Sequence, residues 1–393
     1  MNTQERRTTF AVSLIMAFRM LGLFMILPVF SVAARTYADA TPQLIGLALG
    51  VYGLTQACLQ MPFGLMSDRL GRKPIILTGL VLFAIGSLVA ALAHNLHLII
   101  IGRALQGGGA IGSTLIALLA DFTRPEQRTK AMACMGMTIG IAFSAAMVLG
   151  PLVARWHSLS AIFWLTALLA LLGIVVLFYL VPAGAPVLDE NQEPLLKKLW
   201  TVLTDKELLR LDAGIFLQHA ALTASFLVIP VVFHHSGITT LHAWRAYLPI
   251  LVIAFLCMVP LIILAEKKQK MRPIFLGCIA MIGISQCILA LSYHVFWVVC
   301  FALLLFFIAF NCLEACLPSL VSKRCPAASK GTAMGIYSSS QFLGIFFGGT
   351  VGGIVYAHIH IAGVFALVAG FALVWLLIAF GMQPIKVSSK NEE

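Results

Sequence analysis

Apolar runs of about 20 residues recur along almost the whole chain, and the short stretches between them carry nearly all of its charge. A helix rises about 1.5 Å per residue, so each run is long enough to cross a hydrocarbon core about 30 Å thick. The runs fall near residues 10–34, 44–66, 74–93, 97–120, 130–153 and 159–181, and then near 211–233, 244–265, 273–292, 296–320, 332–356 and 361–382. The pattern predicts twelve transmembrane helices. A membrane barrel would show alternation over roughly ten-residue strands, and in segments this long and apolar only a helix satisfies its own backbone. The first run follows Arg6 and Arg7 and ends near Ser31-Val32-Ala33, the outline of a secretory signal. Its apolar length of about 24 residues, with Arg19 and Pro28 inside, is too long for one. It is read as a permanent helix.

Composition agrees, with 61% apolar and 10% charged residues and a mean hydropathy of +0.99. The net charge of +11 would suit a nucleic-acid partner, but the placement of the bases argues otherwise. Of 26 Lys and Arg, 21 lie in the two tails and on the loops of the N-terminal side, three (Arg35, Arg155, Arg245) on the other side, and two (Arg19, Arg103) within spans. The asymmetry predicts both termini in the cytoplasm and no nucleic acid. Nine cysteines form no CxxC pair, and nine of ten histidines fall outside the spans on the far side, leaving only His219 within one. No metal site is expected.

The halves echo each other. Pro62, Asp68 and Pro74 are matched by Pro260, Glu266 and Pro273, and Arg128 to Met132 by Lys330 to Met334. The fold class expected is therefore an all-α membrane protein of twelve helices in two pseudo-symmetric six-helix bundles. Residues 1–181 form the first bundle, 182–210 a cytoplasmic linker, 211–383 the second bundle, and 384–393 a cytoplasmic tail with no soluble domain after it. In the linker, Leu195, Leu196, Leu199, Trp200 and Leu203 share one apolar helical face, which predicts an amphipathic surface helix.

Between the second and third runs stands GLMSDRLGRK, residues 64–73, a charged bracket expected to form a short turn at the membrane edge. Its Gly64, Asp68, Arg69, Gly71, Arg72 and Lys73 resemble the signature of the major facilitator superfamily in full. Arg103-Ala104-Leu105-Gln106-Gly107 resembles the R-x-x-Q-G motif of that family, and Leu21-Gly22 with Pro28-Val29 the first-helix motif of its drug:proton antiporters, with Ser31 in place of the last proline. Gly150-Pro151 resembles the core of the antiporter motif, although Ala154 and Arg155 replace its following glycines. The resemblance covers residues 1–383. It implies alternating access, a gate in which Asp68 caps the start of the eleventh helix near Lys330 to Ala333, and pairing of Arg69 or Arg72 with Asp121. For Arg103 and Gln106 it implies help in proton transfer.

Charges within hydrocarbon are costly and must face a partner or water, so Arg19 and Arg103 are expected to face a cavity. No acid lies in the middle of an N-half span; Glu314, between Asn311 and Pro318 in the tenth, is the candidate proton carrier. Asp121 and Asp212, near helix ends, are read as gate or solvated residues. The substrate cavity is expected to include Met25, Tyr52, Gln56, Gln60, Gln218, Phe226, Asn311, Gln341 and Phe342, a lining that suits lipophilic or amphipathic compounds. Gly107, Gly109 and Gly112 spell G-x-G-x-x-G, but without a preceding strand they carry no nucleotide fold and are expected inside a continuous helix. Gly46/Gly50, Gly344/Gly348 and Gly349/Gly353 are expected to form close-packing seams. With neither a Walker loop nor a hydrolase motif, an enzyme is not expected. The expected function is proton-coupled efflux by a monomer whose partners are a small-molecule substrate, protons and lipid, with no cofactor beyond the proton gradient. Uptake of a metabolite, or a membrane sensor or scaffold that does not transport, are the alternatives.

Overall fold

The computed structural model describes residues 1–182, 195–239, 242–267, 270–325 and 329–382. The first crossing is α1 (Thr3–Phe24) with a four-residue α2 (Phe30–Ala33), followed by α3 (Pro42–Leu70) and α4 (Arg72–Ala91). The fourth is α5 (Leu96–Gly108) with α6 (Gly112–Asp121), and α7 (Pro125–Tyr179) follows. After the linker helix α8 (Leu195–Thr204) come α9 (Lys206–His235), α10 (Trp244–Lys267), α11 (Met271–Ser292), α12 (Phe296–Arg324) and α13 (Lys330–Phe380). Local chemistry sets several starts. Asn2 and Glu5 form a reciprocal capping box on α1, Thr41 caps α3 ahead of Pro42, and Asn95 and Asp205 cap α5 and α9.

Two helices are too long for one crossing. The 55 residues of α7 and 51 of α13 would extend roughly 82 and 76 Å, more than twice the hydrocarbon thickness. Both ends of α7 nevertheless lie beside the start of α1. Arg124, one residue before α7, bonds Glu5, and the carbonyl of Tyr179, its last residue, accepts from Arg7. The element therefore folds back as two apolar stretches, Glu126–Arg155 and Leu159–Tyr179. In α13 the reversal is explicit at His360, whose φ of 60° and ψ of −160° are not helical. The far end of α13 returns to the beginnings of α9 and α11, where Arg210 bonds the carbonyl of Gly381 and Arg272 that of Phe380. Twelve crossings result among the described residues, as the hydropathy predicts.

Three expectations about local geometry are corrected. The bracket is not a ten-residue turn: residues 64–70 complete α3, and the reversal is made by Gly71 alone, at φ 93°, a conformation open to glycine. The fourth crossing is not continuous, because Gly109 (φ −73°, ψ 47°) and Ile111 separate α5 from α6. The first helix starts seven residues earlier than the apolar run and breaks over Met25–Val29, where Pro28 has no amide hydrogen to give. The linker does contain its helix, on which Trp200 is exposed and Val202 buried. Residues 183–194 of the linker and the whole tail lie outside the described residues.

The two bundles meet along a glycine seam. A Cβ on Gly46 would overlap the Gly349 carbonyl, and one on Gly50 would lie 2.8 Å from the Phe346 carbonyl. On the same side of the molecule Arg35 bonds the Tyr356 hydroxyl across the bundles. Gly344 and Gly348 bring α13 equally close to Phe216 and Ala220 of α9. Small residues let helices approach until their backbones touch, and in a bilayer that packing drives association. Following α3 toward the side of the termini, Ser339 Oγ still donates to the Ala57 carbonyl at 3.3 Å. Beyond it Leu65, Met66, Asp68, Arg69 and Leu70 are exposed, and Gly331 and Gly335 face open space. The bundles are closed on the side opposite the termini and part toward the terminal side.

Candidate functional site

In the N-terminal bundle α1, α3, α4 and α5 place a polar network in an apolar core. Arg19 and Arg103 are 1% and 2% exposed. A lone Arg at mid-span costs about 2.5–3.5 kcal/mol on insertion scales, so its contacts matter. Arg103 Nη1 donates to Gln106 Oε1 at 2.9 Å, its Nε to the Ala48 carbonyl at 3.3 Å, and its guanidinium lies 4.8 Å from the centroid of the Tyr52 ring. The i, i+3 spacing of Arg103 and Gln106 puts both on one face of α5. Gln106 Nε2 in turn donates to Ser87 Oγ at 2.8 Å. Arg19 Nη2 donates to Tyr52 OH at 3.1 Å and to Gln56 Oε1, and Gln56 Nε2 continues to Gln60 Oε1 at 2.8 Å. Every acceptor in this network is neutral.

Across the molecule α9, α12 and α13 surround one carboxylate. Glu314 Oε2 accepts from Gln218 Nε2 at 3.0 Å, and Oε1 from Gln341 Nε2 at 3.3 Å. Gln341 Nε2 is also 2.9 Å from His219 Nε2, which leaves that ring nitrogen as an acceptor. The same nitrogen lies 3.9 Å from Glu314 Oε2. The Glu314 side chain is 39% exposed, so it combines amide donors on one side with open space on the other. His219 was legible only as the one histidine inside a span; its place beside Glu314 depends on two helices meeting.

The bracket forms an ion network at the terminal-side ends of α3 and α6. Arg72 Nε donates to Asp121 Oδ2 at 2.9 Å, while Nη1 donates to Asp68 Oδ1 and, at 2.7 Å, to Ser67 Oγ. Arg72 is the partner of Asp121; Arg69 is exposed, and Gly64 and Lys73 flank the network. The expected cap of Asp68 on the start of α13 is absent among the described residues. Asp68 faces Arg72 with 55% of its side chain exposed, because the bundles are parted here.

The remaining candidates sort by exposure. Tyr52, Gln56, Gln60 and Gln218 are buried in the two networks, and Asn311, Gln341 and Glu314 are partly open. Phe342 packs edge-on against Tyr52 at 6.3 Å, joining the bundles. Met25 and Phe226 are fully buried in bundle cores, Phe226 against Tyr247 and Phe307, so neither lines open space in this conformation. Asp212, read as a gate or solvated residue, is not solvated here: it is 6% exposed, with no partner for Oδ2 among the described residues. On the far side, Asp39 accepts from the Leu96 amide at 2.9 Å and faces His97 Nδ1 at 2.9 Å. The Leu96 amide first, then His97, hold its carboxyl below the usual aspartate range against the opposing effect of burial.

The chain matches the sequence profile of the Major Facilitator Superfamily over residues 12–349 and 272–393. It is 44% identical over 395 residues to the inner membrane transport protein YajR of Escherichia coli (strain K12), covering 100% of this chain and 87% of that one. Multidrug resistance protein MdtH of Proteus mirabilis (strain HI4320) is 24% identical over 341 residues, 84% of this chain and 82% of its own. A crystal structure of a bacterial homolog of the human lysosomal transporter Spinster, inward-facing and occupied, superposes with a TM-score of 0.78 at 13% identity, covering 97% of each chain. That likeness bears on the fold alone.

Proposed function

This chain belongs to the major facilitator superfamily and is a secondary transporter, and from that premise we propose that it couples proton movement to the export of lipophilic or amphipathic small molecules. The observation that carries the reading is Glu314, a carboxylate midway along a membrane helix, held by two amides and open on its other side. A carboxylate so placed can be neutralised by a proton, and its charge state changes the cost of enclosing it when the bundles close. Gln218 and Gln341 sit on α9 and α13, so protonation alters bonds that tie α12 to both neighbours. The drug-resistance name of MdtH supports export. Both termini and the open side lie in the cytoplasm on this reading, in a bacterial inner membrane, and the protein works as a monomer.

In the closed cytoplasmic state, Asp68 would leave the outer face of Arg72 to cap α13, with Arg72 still on Asp121. A carboxylate at a helix N-terminus gains about 0.3–1 kcal/mol, rising to about 2 when partly buried. The departure from the antiporter motif at Ala154 and Arg155 favours proton-coupled uptake as the second reading.

Vesicles containing the purified protein, given an imposed pH gradient and a panel of amphipathic acids, bases and neutral compounds, test both. Proton-driven substrate movement opposite to the proton supports export; movement with the proton supports uptake. Glu314→Gln is expected to abolish gradient-driven movement while sparing counterflow. Full gradient-driven activity in that variant would remove Glu314 from the coupling.

A further inference from the structure

The two buried guanidiniums of the N-terminal bundle are not equally served. Arg103 has a carbonyl, an amide and an aromatic face. Among the described residues Arg19 has only Tyr52 and Gln56, both at Nη2, and its buried Nε and Nη1 find no hydrogen-bond partner there. No Asp or Glu forms an ion pair with either guanidinium among the described residues. An orphaned buried donor is expensive, and an orphaned buried cation more so, which makes it a feature to be explained.

The space that Nη1 faces is defined by a missing side chain. A Cβ placed on Gly112 would stand 3.4 Å from Arg19 Nη1 and 3.4 Å from Gln60 Nε2. Gln60 already spends Oε1 on Gln56, so its amide nitrogen is left to donate. Two donors, one of them charged, thus converge on a notch just after the break between α5 and α6. Tyr52, which shares Arg19, carries the wall onward to Phe342 of the other bundle.

We propose that Arg19 and Gln60, across the notch at Gly112, bind the acidic group of the cargo, which is therefore an amphipathic organic anion such as an aryl carboxylate. The cargo supplies the counter-ion missing among the described residues; because Arg19, Gln60, Tyr52 and Phe342 are all buried in this conformation, it enters by displacing that packing, its oxygens accepting from Arg19 Nη1 and Gln60 Nε2 and its apolar body lying toward Tyr52 and Phe342. Glu314 stands in the other bundle, so acid and base remain on separate walls. This rests on the transport reading above and names the substrate class that such a transporter would move.

The test uses a matched set on the purified full chain: 1-naphthoate, 1-naphthamide and 1-naphthylmethylammonium, read as ligand-induced shifts of the melting temperature. Naphthoate is expected to stabilise, and the amide and ammonium to do so far less. Arg19→Gln should weaken naphthoate by roughly 10- to 150-fold, the span of one charge-assisted hydrogen bond. Arg19→Lys should retain part of it. Gly112→Ala fills the notch with the guanidinium intact and should lose naphthoate too, which covers the case that Arg19→Gln does not fold. Naphthoate shifting the melting temperature no more than the amide, or binding undiminished in both Arg19→Gln and Gly112→Ala, overturns the proposal. Proton-coupled export of the ammonium or amide would overturn it while leaving the transport reading intact.

Discussion

Placing a methyl group on the glycine seam should drive the bundles apart on the side that is closed here. In Gly349→Ala the new Cβ would lie 2.5 Å from the Gly46 carbonyl oxygen, 2.9 Å from the Gly50 nitrogen and 3.0 Å from the Gly50 Cα. All three are backbone atoms of α3, so no side-chain rotation relieves the overlap. Ordinary contact begins near 3.4 Å, so α3 and α13 must separate by about 0.9 Å. Overpacking of a well-packed interface costs about 1–3 kcal/mol. If the state open on this side is free of the overlap, the equilibrium shifts toward it by a factor of about 5–150. Spin labels read the shift in a cysteine-depleted background, one pair at His94 and Ile359 on the closed side and one at Arg69 and Gly331 on the open side. All four positions are exposed. Gly349→Ala should lengthen the first distance and shorten the second. A variant that folds with both distance distributions unchanged would refute the seam as the closed-side contact that alternates.

Two further outcomes follow from the ion pairs. Arg72→Gln removes the bond to Asp121 and the contact with Asp68, but these groups are partly exposed, so stability should fall by no more than about 1 kcal/mol. Its transport rate should fall much further, and a loss confined to thermal stability would show that the network only anchors the helix ends. Asp39 has a folded pKa below its unfolded value, so its contribution is complete above the ordinary aspartate value of about 3.9 and is lost as pH falls through the folded value. Hydrogen exchange at the Leu96 amide, followed from pH 6 downward, should lose protection in that acidic window, and Asp39→Asn should remove the pH dependence; protection unchanged to pH 2 would contradict it.

Much of this protein is written in its linear pattern. Hydrocarbon imposes a simple rule, that about 20 apolar residues form a helix, so the crossings and their number follow from hydropathy alone. Spacing within one helix was equally legible: Arg103 and Gln106 meet because three residues make nearly one turn. Where chain breaks fall inside apolar runs, at Met25–Val29 and Gly109–Ile111, hydropathy is blind, because a broken and an intact helix have the same composition. What only the tertiary structure decided is which residues of different helices meet, within a bundle and between bundles. Ser87 under Gln106, His219 beside Glu314 and Arg35 on Tyr356 join residues 19, 95 and 321 positions apart. The parting of the bundles at the bracket, which leaves Asp68 on Arg72 instead of α13, is likewise a property of one packing arrangement among those the same helices can adopt. Local periodicity fixes a helix and its faces, but which face finds which partner is set by the packing of all twelve at once.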